Sequence, residues 1–200
     1  ERTEYLEDQH VLLAQQALVR GFEQDHGLAG FQLVDPLIPS ILSRLVNHLD
    51  PHETEEEQVE RASRISKVKG LFESWMRTKK RVLVPIHSED PVHWTLLSVD
   101  IEDKEVKAIR FRGSFKPGSK RARTEAQFVL SEGFNLEDSL PERLEGAFQK
   151  GATCGAWISS YAEEELREFL GEGWRACGPH EENVKIWRSR LQKLFWQLQI

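Results

Sequence analysis

The sequence predicts an α+β domain with a central mixed or antiparallel sheet flanked by helices. Three observations carry that expectation. Apolar residues recur at helical spacing towards both ends of the chain, and β-branched residues gather into strand-length runs in the middle. Two of those runs are separated only by a short polar turn. Strands enclosed by helices, rather than strand and helix in alternation, argue against a doubly wound parallel sheet. The 200 residues suit a single domain, 1–200.

Taken in order, Leu6, Val11, Leu12, Leu13, Leu18, Val19 and Phe22 fit a long amphipathic helix, with Asp8 as its N-cap. Phe31 to Val34 is short and apolar. Pro36 and Pro39 then punctuate the chain before a helix through Ile41 to Leu49. Asp50 to Glu60 is acidic and turn-rich, a solvated loop entering a helix that ends near Trp75 or Met76. Arg81 to Ile86, Trp94 to Ile101 and Glu105 to Phe111 are strands, the last two joined as a hairpin by Glu102-Asp103-Lys104. Lys116 to Arg123 reads as a basic loop. Glu125 to Glu132 and Cys154 to Leu170 read as helices, and 183–200 as a terminal one.

Hydrophobic residues at 39%, with 10 Phe and 6 Trp, supply a real core and exclude wholesale disorder. A net charge of -6 argues against a general nucleic-acid binder. No apolar run approaches the roughly 18 residues of a membrane span. The opening ERTEYLEDQH has no apolar stretch of the kind a secretory signal needs. Cys154 and Cys177 can form neither a disulfide framework nor a four-cysteine zinc site, so a reducing, intracellular location is expected. His48 and His52 stand four apart, but Pro51 interrupts them and no third ligand is near, so no metal or other cofactor is expected.

His93 and Cys154 stand out by their settings. His93 opens an apolar strand in Pro91-Val92-His93-Trp94-Thr95-Leu96-Leu97. Cys154 ends the small-residue turn Gly151-Ala152-Thr153 and begins a helix, where unpaired backbone N–H groups and the helix dipole stabilise a thiolate. Gly151 and Gly155 leave room for a substrate backbone and an oxyanion hole, to which Gln149 can offer its amide. A cysteine, a histidine and an upstream glutamine suit thiol acyl transfer. A buried structural cysteine is the alternative.

Four stretches together resemble the Ulp/SENP family of ubiquitin-like-protein proteases, distant relatives of the adenovirus protease. Tyr5-Leu6-Glu7-Asp8 resembles its opening Trp-Leu-Asn-Asp element, and Arg81-Val82-Leu83-Val84-Pro85-Ile86 its strand ending in Pro-Ile or Pro-Val. His93-Trp94 with the strand that follows matches its His-Trp strand, and Gln149 to Gly155 its Gln-to-Cys-Gly segment. The order holds from Tyr5 to about Leu170. The resemblance implies a papain-like cysteine protease architecture. It makes Cys154 the nucleophile, His93 the general base, and Gln149 with the Cys154 N–H the oxyanion donors. Trp94 and Tyr5 would wall a narrow tunnel for a Gly-Gly terminus, although both also read as ordinary half-buried aromatics. Asp8 would face the ubiquitin-like partner, a position that its N-cap role explains equally well. The partners implied are a ubiquitin-like protein (SUMO- or NEDD8-like) or its conjugates, with neither nucleic acid nor membrane, in the nucleus or cytoplasm.

The sequence departs from that family at its orienting acid. Where the family has Tyr-x-Asp-Ser, this chain has Phe111-Arg112-Gly113-Ser114, and no acidic residue lies between Val106 and Lys120. The interval from Gln149 to Cys154 is also shorter than usual, and Thr153 replaces the usual aspartate. Gly113 has three readings: an engineered inactivation, a natural loss giving a pseudoenzyme, or a dyad enzyme whose imidazole another group orients. The functions to weigh are a peptidase weakened at Gly113, an inactive domain that binds a ubiquitin-like protein, and an acetyltransferase of related fold. Trp94 after His93 favours the first over the last.

Overall fold

The computed structural model describes residues 16–21, 28–48, 50–89, 92–113, 120–137, 142–143, 154–172, 185–187 and 189. The β-branched runs pair as three consecutive antiparallel strands, β2 (Arg81–Glu89), β3 (Val92–Glu102) and β4 (Glu105–Gly113). Asp103 and Lys104 form the β3–β4 turn with φ of 52° and 67°. Two successive left-handed residues give a turn whose twist matches that of the flanking strands. The short apolar run is β1 (Phe31–Leu33), which pairs parallel to β2. A strand absent from the sequence expectation, β5 (Glu142–Arg143), pairs parallel to β4. The sheet is therefore mixed, in the order β1-β2-β3-β4-β5.

Helices cover both faces. On one lie α2 (Leu37–Asn47), α3 (Glu55–Thr78) and α4 (Lys120–Phe134). Their core joins Leu42, Phe72, Val129 and Leu130 to Val82, Val84, Leu97, Val99 and Phe111 of the strands. On the other lies α5 (Cys154–Phe169), with a helical segment at 16–21 (α1) and another at 185–187. This second core joins Ile158, Tyr161 and Leu166 to Leu83, Trp94 and Leu96, and takes in Leu18 and Trp187. The period of two along each strand sorts its residues between the two cores.

Three helix starts differ from expectation. Helix α2 begins four residues before Ile41, with Pro39 inside its first turn. A first-turn proline sacrifices no helical hydrogen bond, and the Asp35 carboxylate accepts the Leu37 N–H at 2.9 Å. Helix α3 begins at Glu55 because Thr54 and Glu57 close a reciprocal capping box. Residues 120–123, expected in a basic loop, form the first turn of α4. Of the expected helix over Leu6 to Phe22, the described part is 16–21. Of that over 183–200, it is 185–187 and 189.

Candidate active site

His93 is the second residue of β3 and only 3% exposed. Its ring is held well below the usual histidine range, to a pKa of about 4, first by burial and then by the neighbouring His87. It is thus a neutral base at physiological pH. His87 stacks on Trp94, ring centroids 4.7 Å apart and planes 30° from parallel. Trp94 is 0% exposed, more deeply set than the half-buried aromatic expected, and its indole N–H is buried with no acceptor among the described residues.

Gly113 ends β4 directly opposite Thr95. Thr95 follows His93 by two residues, so alternation puts position 113 diagonally across from His93 on the same face of the sheet. A side chain at 113 is within reach of the imidazole. The site that the family resemblance assigns to the orienting acid is therefore beside the histidine, and glycine fills it.

Cys154 opens α5. Two contacts fix how that helix runs over the sheet. Tyr161 lies beneath the Arg112 guanidinium at 5.2 Å, and Arg112 pairs in register with Leu96. Further along, the Glu165 carboxylate accepts from Ser98 Oγ at 3.1 Å. Helix and β3 thus advance in the same direction. From Glu165 back to Cys154 is eleven residues, roughly 16 Å at about 1.5 Å each. From Ser98 back to His93 is five residues, again roughly 16 Å at about 3.3 Å each. Positions 154 and 93 come level at one end of the sheet.

Tyr5, Asp8 and Gln149 lie outside the described residues, as does the side chain of Cys154; Gly155 is described only as the second residue of α5. Among the described residues there is no group of three or more His, Cys, Asp or Glu able to hold a metal, and no helix long and apolar enough to cross a membrane.

Sequence reasoning missed a buried ionic cluster between α5 and the sheet. Glu165, 1% exposed, also accepts from Arg110 Nη2 at 3.2 Å and Arg112 Nε at 3.3 Å, with Arg81 Nη1 at 3.4 Å. Arg112 further pairs with Glu164 at 2.8 Å, and Arg110 with Asp100 at 2.9 Å. Three arginines thus meet Asp100, Glu164 and Glu165, with the half-exposed Glu168 3.6 Å from Arg81 and 3.9 Å from Arg110, so each buried charge has an opposite partner. In the sequence Glu165 sits among the other acids of α5, and Arg110 and Arg112 alternate with apolar residues on β4, a pattern that reads as solvent-facing.

The profile of the Ulp1 protease family, C-terminal catalytic domain, matches residues 4–130, well over half of the chain. That span holds His93 and Gly113 and stops short of Cys154. No curated protein matches the sequence. Among solved structures, the Xanthomonas campestris effector protein XopD bound to ubiquitin aligns with a TM-score of 0.70 at 19% identity, over 96% of this chain and 92% of that one. The C-terminal Ulp1 protease domain in complex with Smt3, the yeast ortholog of SUMO, aligns with a TM-score of 0.55 at 15% identity, over 94% and 75%. The fold is the α+β architecture expected from the sequence, a mixed sheet flanked by helices that matches these XopD and Ulp1 protease structures.

Proposed function

Because the chain belongs to the Ulp1 protease family, a family of cysteine peptidases, we propose that it cleaves after the C-terminal glycine of a SUMO- or NEDD8-like modifier, in its extended precursor or its conjugates. The observation that carries this reading is the levelling of His93 and Cys154 at one end of the sheet, His93 second in β3 and Cys154 first in α5.

In this reading His93, neutral at rest, takes the Cys154 proton, aided by the positive end of α5. The thiolate attacks the carbonyl carbon of the terminal glycine, and its oxygen becomes an oxyanion. Gln149 and the Cys154 N–H donate to that oxygen, each such donor typically contributing about 2.7–4 kcal/mol. The C–N bond breaks, the amine leaves with the proton from His93, and a thioester remains. Water, deprotonated by His93, then releases the glycine carboxylate and restores the thiol. Tyr5 lines the path of the extended terminus, Trp94 backs that path from within the core, and Asp8 faces the modifier's globular body.

Gly113 weakens this machinery. Burial pushes the His93 pKa to about 4, and no carboxylate at 113 stabilises the imidazolium that each proton transfer creates. The same residue supports a second reading, a domain of this fold that binds a modifier without cleaving it.

A panel of modifiers carrying a C-terminal electrophile separates the two. Capture of one modifier as a covalent adduct at Cys154, lost in Cys154→Ala, is the expected result. Binding without an adduct establishes the second reading, and an adduct at Cys177 overturns the first.

A further inference from the structure

We propose that Glu165 is a positioning residue for the reaction, setting the height of the Cys154 nucleophile against His93. The inference rests on the peptidase reading above and adds to it a residue far from the chemistry. Positions 154, 158, 161 and 165 are spaced as one stripe along α5. Ile158 and Tyr161, in the middle of that stripe, are buried with Trp94 and Leu96. Such apolar contacts are non-directional and tolerate sliding along the strand. The contacts of Glu165 are directional. Its carboxylate meets Arg81 of β2, Ser98 of β3, and Arg110 and Arg112 of β4, so three strands grip one side chain.

The lever is the helix itself. Residue 165 is about three turns from residue 154, and a hydrogen-bonded helix transmits an axial shift undiminished. A displacement at Glu165 therefore appears at Cys154, while His93, fixed in β3 by its ladder to β2, stays where it is. Reacting groups tolerate little of this, since a misplacement of about 1 Å can cost about 100-fold in rate.

Glu165→Asp is the decisive variant. It keeps the charge opposite the arginines but shortens the side chain by one carbon–carbon bond, about 1.5 Å. Two readouts are taken on the whole chain. One is the rate of Cys154 alkylation by iodoacetamide across roughly pH 5 to 9, read by peptide mass spectrometry so that Cys177 is counted apart. The other is kcat and KM on the modifier captured by the probe panel. Glu165→Asp should slow Cys154 alkylation at neutral pH about tenfold and lower kcat about 10- to 100-fold, with KM within about twofold. His93→Gln in wild-type background is the reference for a thiol uncoupled from its base.

If wild-type Cys154 responds to His93→Gln while Glu165→Asp keeps the wild-type pH profile and kcat, the positioning role is overturned and the peptidase reading stands. If wild-type Cys154 alkylates like an ordinary thiol and ignores His93→Gln, both fail. Should Glu165→Asp not fold, Ser98→Ala removes the β3 hydrogen bond alone. It should lower kcat about 3- to 10-fold at unchanged KM, and an unchanged kcat there also overturns the role.

Discussion

Gly113 faces Thr95 across the β3–β4 ladder, one diagonal step from His93. That relationship makes the missing carboxylate testable by a single substitution. Gly113→Asp should raise kcat about 10- to 1000-fold, scaled down from the roughly 10⁴-fold that an orienting aspartate is worth in serine enzymes. It should also lift the His93 pKa from about 4, visible by NMR titration. Affinity for the modifier's globular body should be unchanged. An unchanged rate, with Cys154→Ala still inactive, would mean a dyad or another orienting group.

Trp94 has no exposed surface and sits in the core shared by α5 and the sheet. Trp94→Ala should therefore cost about 3–5 kcal/mol of stability, measured by urea unfolding, as burial of a large aromatic dictates. Trp94→Phe keeps most of that volume. It should lower turnover of the extended terminus more than binding of the modifier's body. Equal losses in both would assign Trp94 to the fold alone.

Acid should destabilise the protein through His93. Its folded pKa of about 4 lies below the ordinary 6.5, so between these values the unfolded chain binds more protons. Stability is complete above pH 6.5 and falls as pH drops through the window to about 4. The loss is on the order of 3 kcal/mol. Urea midpoints for wild type and His93→Gln across this range check it. A parallel pH dependence in the two proteins would contradict the assignment.

Two helical glycines should respond oppositely to alanine. At Gly70, in α3, an added Cβ meets nothing within 4 Å. Gly70→Ala should stabilise by about 0.5–1 kcal/mol through helix propensity. At Gly133, in α4, the same carbon lies 3.0 Å from two atoms of the Phe72 ring. Phe72 is fully buried and wedged edge-on against Trp75 and Phe134, so it has nowhere to yield. Gly133→Ala should lower the melting temperature, and a rise would show that the α3–α4 seam relaxes.

Much of this protein was legible in one dimension. β-branched residues in strand-length runs between Arg81 and Phe111 marked three strands, because such side chains suit the extended backbone, whereas which face each residue buries was decided by the helices on either side. The polar turn marked the hairpin, and the settings of His93 and Cys154 marked the candidate site, because reactive thiols need a helix N-terminus and a nearby base. Other features depended on partners distant in sequence. The two-residue β5 exists through its pairing with β4, and no residue pattern that short carries a strand signal. Glu165 reads alone as one acid in an acidic helix. Only folding brings it to Arg81, Ser98, Arg110 and Arg112, residues 53 to 84 positions away. Burial then turns a surface-like charge into a fixed point of the core, since an ionised carboxylate inside a protein persists only where such partners surround it.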